Sequence, residues 1–254
     1  VEPGEILFIT NNGIEEDTFA EQDKRAMCAM EYVYFARPDS NIDGVNVHMA
    51  RKRMGKELAR EVAGIEADVI TGVPDSSLSS AIGFAEESGI PYELGLIKNR
   101  YVGRTFIQPT QELRERGVKM KLSPVVQVVK GKRVVMVDDS IVRGTTSRRI
   151  VRMLKEAGAA EVHVMITSPP MTNPCFYGID TSTPEQLIAS SHSVDEIRQA
   201  IEADTLTFLS AEGMVRATAR PFDDPDGGLC MACFTGKYPT EIFPDTVLPH
   251  EKEC

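Results

Sequence analysis

Two stretches of the chain repeat one plan. Residues 67–97, "ADVITGVPDSSLSSAIGFAEESGIPYELGLI", read as an apolar strand, a tight polar loop, a helix stopped at Gly89 and a second strand. Residues 132–167, "KRVVMVDDSIVRGTTSRRIVRMLKEAGAAEVHVMIT", follow the same order with a longer helix and a stop at Gly158. Each is a βαβ unit, and two of them predict an α/β fold: a doubly wound, mostly parallel sheet flanked by helices. In such a sheet ligands collect outside the carboxyl ends of the strands.

The flanking segments complete this outline. "EILFIT" reads as an opening strand, and Val47, Ala50, Met54, Leu58 and Val62 recur at three- and four-residue steps, which predicts an amphipathic helix ending near Gly64. Beyond Thr167 come Pro-rich loops and two capping boxes, Thr183-Pro184-Glu185-Gln186 and Ser193-Val194-Asp195-Glu196, each expected to start a short helix. The expected organisation is an entry segment and helix over 1–64, a core over 65–170, a helical and loop extension over 171–245 and a tail over 246–254.

The chain of 254 residues is long enough to bury a sizeable core. It has no apolar run near the ~20 residues of a bilayer span and no secretory signal pattern, and because it opens on Val1 it is expected to be processed, trimmed or a fragment. A net charge of −10 argues against a general nucleic-acid binder. Between Lys98 and Arg133, however, ten Lys or Arg face two acids, so this window is +8 and the remainder −18. Such a patch suits a small polyanion; the plainer alternative is a solvated basic face.

Asp138 and Asp139 end a β-rich run, and Gly144, Thr145, Thr146 and Ser147 precede the following helix. Backbone amides at a helix N-terminus lack partners and the helix dipole favours an anion there, so a phosphate fits this turn. Gly144 allows close approach, and the three hydroxyls are expected both to reach phosphate oxygens and to cap the helix. The two carboxylates would repel that phosphate, so they are expected to face sugar hydroxyls or a divalent cation. Gly72 to Ser77 is a second loop between strand and helix. Cys230 and Cys233 form C-x-x-C, Cys28 and Cys175 stand alone, and Cys254 ends the chain. That pattern alone leaves zinc, a metal cluster and free thiols open. His48, His163, His192 and His250 are too dispersed for a metal site or a triad.

"VVMVDDSIVRGTTS" resembles the 5-phosphoribosyl-1-diphosphate (PRPP) loop of type I phosphoribosyltransferases. "EYVYFARPDS", "KNRYVGRTFI" and "VDDSIVRGTTS" resemble, more narrowly, the glutamine PRPP amidotransferase family in its iron–sulfur branch, over about residues 1 to 245. The resemblance implies a type I phosphoribosyltransferase sheet and transfer of a phosphoribosyl group from PRPP to ammonia, the first step of purine synthesis. It implies that Asp138, Asp139, Lys98, Arg100 and Arg104 serve the reaction. Asp75, Ser76, Ser77, Tyr101, Ser140, Arg143, Gly144, Thr145, Thr146 and Ser147 would bind substrate. Ser76, Asp138 and Asp139 would contact Mg2+, and Cys28, Cys175, Cys230 and Cys233 would hold a 4Fe-4S cluster.

The same resemblance implies a cytoplasmic homo-oligomer, dimer or tetramer, that is inhibited by purine nucleotides and has neither nucleic-acid nor membrane partners. The family's N-terminal glutaminase half, which opens on a catalytic cysteine, has no counterpart in these residues, whose first cysteine is Cys28. These residues are therefore expected to use free ammonia, with glutamine as donor only in a full-length parent. Two other readings share parts of the pattern: a salvage enzyme that transfers the group to a nucleobase, and a nucleotide sensor without catalysis.

Overall fold

The computed structural model describes residues 1, 4–19, 25–99, 122–179, 181, 183–220 and 228–242. Its centre is a four-stranded parallel sheet. In chain order the strands are β1 (Val69–Gly72), β2 (Arg133–Asp138), β3 (Glu161–Ile166) and β4 (Thr205–Phe208), and across the sheet they run β4-β3-β2-β1. Alternation along β2 divides the core in two. Val135 and Val137 join Met54, Leu58 and Phe84 on one face; Val134 and Met136 join Ile150, Val151 and Leu154 on the other.

The first face is covered by α1 (Val47–Glu61) and α2 (Leu78–Ser88), as the sequence periods predict. Val47, Ala50, Met54 and Leu58 are all buried, Asn46 caps α1 by accepting from the Met49 amide, and Gly89 ends α2 at φ 74°. The two helices pack unusually closely. A Cβ added to Gly55 would lie 1.9 Å from the Ser80 carbonyl oxygen, and one added to Gly83 would lie 1.9 Å from that of Lys52. The opposite face is covered by α3 (Thr145–Glu156) and α4 (Val194–Ala200), the latter opened by the expected Ser193 capping box.

Several expectations are corrected. Thr183 caps nothing: Pro184–Gln186 is a single 3₁₀ turn. The strand expected over "PYELGLI" pairs with β1 only at Tyr92, whose flanks exchange bonds with Ile70. There Thr71 Oγ1 accepts from the Gly95 and Leu96 amides, turning the chain off the sheet, and Leu96–Lys98 pairs antiparallel with Leu122–Pro124 instead. Neither β4 nor the helix after it, α5 (Ala211–Thr218), was anticipated. The opening strand is one arm of a hairpin, Glu5–Thr10 with Gly13–Thr18. No helix among the described residues is long and apolar enough to cross a membrane.

Candidate functional site

β1 and β2 end side by side, and the loops that follow them meet although they lie some sixty residues apart in sequence. Ser76 Oγ donates to Asp139 Oδ2 at 2.5 Å, Ser77 Oγ to Asp138 Oδ1 at 3.0 Å and Ser140 Oγ to Asp139 Oδ1 at 2.7 Å. Asp138 and Asp139 are each only 7% exposed. Burial and the neighbouring Asp139 charge push the Asp138 carboxyl up to about 8. Burial raises Asp139 as well, against the serine hydrogen bonds and the Arg51 charge that favour its ionised form. A positive charge brought beside the two would offset both the burial and the mutual repulsion and favour their ionised forms.

The pair lies in a cavity of about 910 Å³ whose wall includes the first turn of α3. Gly144, at φ 75°, stands at the N-cap and no side chain caps the helix, which corrects the expectation that the hydroxyls would do so. The amides of that turn therefore remain open to an anion. A Cβ on Gly144 would also meet Ile188 at 3.2 Å.

Asp75, Ser76, Lys98, Asp138, Asp139, Ser140, Arg143, Gly144, Thr145, Thr146 and Ser147 all line this cavity. Lys98 Nζ lies 2.6 Å from Asp75 Oδ2, and Arg143 donates to Gln186 at 2.7 Å. Ser77 does not line the cavity; it is fully buried behind Asp138 and supports that carboxylate. Arg100, Tyr101 and Arg104 lie outside the described residues.

Sequence reasoning missed other wall residues: the aromatic pair Tyr34 and Phe35, Arg51 and Thr181. Arg51 is 2% exposed on the apolar face of α1, where Nε donates to the Tyr32 carbonyl and Nη2 to that of Ala36, each at 2.8 Å. It thus anchors the turn that carries Tyr34 and Phe35, and burial lowers its pKa. The only early signal was a charge beside Ala50 within the helical stripe.

A second cavity, of about 320 Å³, is lined by Cys28, Cys175, Cys230 and Cys233 with Tyr177, Ile179 and Pro239. The parallel ladder of Ala26–Cys28 and Gly228–Cys230 places Cys28 opposite Cys230. None of the four forms a disulfide. Burial, then repulsion from Cys28, Cys230 and Cys175, pushes the Cys233 thiol up to about 12, and burial raises Cys28 and Cys230 too. Among the described residues no three His, Cys, Asp or Glu side chains gather closely enough to hold a single metal ion. Cys254 lies outside the described residues.

Comparison with known proteins agrees with this arrangement. The chain is 71% identical over 254 residues to an amidophosphoribosyltransferase of Bacillus subtilis, covering all of this chain and 53% of the relative. It is 55% identical over 243 residues to one from Staphylococcus epidermidis, covering 49% of it. The chain thus spans about half the length of these relatives. A solved B. subtilis glutamine PRPP amidotransferase complexed with ADP and GMP superposes with a TM-score of 0.85 at 70% identity, over 98% of this chain and 55% of that one. Residues 43–171, which carry the strand-end loops, the acidic pair and the hydroxyl-rich turn, match the phosphoribosyl transferase domain, and the chain belongs to that family.

Proposed function

We propose that the chain transfers the phosphoribosyl group of PRPP to ammonia, giving 5-phosphoribosylamine and pyrophosphate. The observation that carries this reading is the meeting, in one cavity, of a buried acidic pair, the Ser76 loop and an uncapped helix N-terminus. The open turn of Gly144 to Ser147 takes the 5-phosphate, and Asp138 and Asp139 address the ribose hydroxyls. The anomeric carbon exchanges its bond to the diphosphate oxygen for a bond to nitrogen, and the nitrogen loses a proton. No protein nucleophile is required, because positioning and electrostatics lower the barrier.

Ser76, Asp138 and Asp139 form an all-oxygen donor set that fits Mg2+, which binds through one or two carboxylates together with substrate phosphates. Bound there, the ion neutralises charge on the diphosphate. Lys98, with Arg100 and Arg104 on the following segment, supplies further positive charge to the leaving group. The four cysteines around one cavity fit a 4Fe-4S cluster, which spaces its thiolates further apart than a single ion does. Such a cluster ties Cys28, near the start of the chain, to Cys230 and Cys233, near its end. The nitrogen donor proposed for these residues is free ammonia; glutamine serves where a longer chain carries a glutaminase region. A homo-oligomer inhibited by purine nucleotides, working in a reducing cytoplasm, completes the reading.

PRPP titration of the anaerobically purified chain tests it. Binding should require Mg2+ and weaken at least about tenfold in Asp138→Asn or Asp139→Asn. Equal binding with and without Mg2+, or in both variants, contradicts the assignment. Iron and a brown charge-transfer absorption are expected in the same preparation, whereas stoichiometric zinc in colourless protein contradicts the cluster.

A further inference from the structure

The 3₁₀ turn Pro184–Gln186 opens no longer helix, yet the stretch that it begins meets the hydroxyl-rich turn at three consecutive residues. Ile188 N donates to the Val142 carbonyl at 2.8 Å. Gln186 Oε1 accepts from Arg143 Nη2 at 2.7 Å. On the side of Gly144 where a Cβ would stand, that atom would lie 3.2 Å from Ile188 Cδ1 and 3.4 Å from Ile201 Cγ2. The stretch is itself held from both sides of the sheet. Leu187 is buried in the core that contains Val135 and Val137, and Ile188 packs against the core that contains Val134 and Met136. Ser190 Oγ donates to the Pro184 carbonyl at 2.8 Å and to that of Leu187 at 2.7 Å, which closes the turn.

The hydroxyl-rich turn has need of such a support. Gly144 stands at φ 75° and no side chain caps α3, while open amides favour an anion only as long as they are held pointing at one place. Arg143 lines the cavity, and its bond to Gln186 restricts a side chain rich in rotamers.

We propose that residues 186–188 brace the phosphate-binding turn, with Ile188 as a positioning residue for the amides that follow Gly144 and Gln186 as one for the Arg143 guanidinium. The inference rests on the function proposed above. It adds to the site a support from outside residues 43–171, the span that carries the family match.

Two probes address the two ends of the bound compound separately: ribose 5-phosphate, and pyrophosphate with Mg2+, each titrated into the anaerobically purified chain. Ile188→Ala removes the contact with Gly144, Ile188→Leu refills it, and Gln186→Met removes the acceptor at nearly equal length. The Kd for ribose 5-phosphate should rise about tenfold in Ile188→Ala and about threefold in Gln186→Met, while that for pyrophosphate stays within about twofold. Ile188→Leu should bind both probes within about twofold of wild type. Unchanged ribose 5-phosphate affinity in either of the first two variants overturns the brace. So does an equal loss for both probes, which is what a general weakening of the fold would give. A wild type that takes pyrophosphate but no ribose 5-phosphate would refute the placing of the phosphate at this turn, and the brace with it; wild-type binding of both confines any failure to residues 186 and 188.

Discussion

Asp138 and Asp139 were readable because spacing alone places them at a strand end before a phosphate-sized turn. Arg51 and Thr181 were not, since nothing local marks a polar side chain that the tertiary fold will bury. Arg51→Met leaves the Tyr32 and Ala36 carbonyls without their donor, so hydrogen exchange should quicken at residues 32–36 and turnover should fall about tenfold. Unaltered exchange would contradict the anchoring role. Glu202 gives a separate, electrostatic check. Arg152 and Arg148 hold its carboxyl down to about 2, below the ordinary 4.5. A depressed pKa adds stability that is full above the unfolded value and disappears as pH falls through the folded one. The melting-temperature gap between wild type and Glu202→Gln should therefore be present at pH 7 and close between about pH 4.5 and 2. A gap that persists at pH 2 would show that Glu202 does not act through its charge.

Where a period runs for several turns, the elements were legible. α1 and α3 end where their apolar stripes and glycines predict; β2 carries an unbroken apolar run over Val134–Val137, and β3 one interrupted by His163, and a parallel sheet buries such strands on both faces. The short elements were not legible. β4 has four residues, and the pairing of Tyr92 ends where Thr71 captures two amides, a contact invisible before folding. Sequence also gave no warning of how close α1 and α2 come. At Gly83 the obstruction is backbone, which cannot rotate away, so Gly83→Ala should cost about 3 kcal/mol or more and shift the denaturation midpoint with little change in slope. A loss below about 0.5 kcal/mol would contradict the close contact.

At the scale of the molecule, the acidic-pair cavity and the cysteine cavity, which differ in chemistry, are organised among the described residues by one sheet and the segments around it. The cavity that holds the acidic pair is built where β1 and β2 end, and the cysteine cavity where the Ala26–Cys28 and Gly228–Cys230 strands pair. The cysteine set was legible as a list of residues but not as a place, because its members are separated by more than two hundred positions and only folding joins them. Family membership covers residues 43–171, and the acidic pair within that span carries the central claim that this is a PRPP-dependent transferase. The most direct measurement is pyrophosphate release from PRPP and Mg2+ by anaerobically purified protein, comparing ammonium, a panel of nucleobases and no acceptor. The account predicts release that depends on ammonium and disappears in Asp138→Asn. Release with a nucleobase alone, or tight PRPP binding without release under any condition, would contradict it.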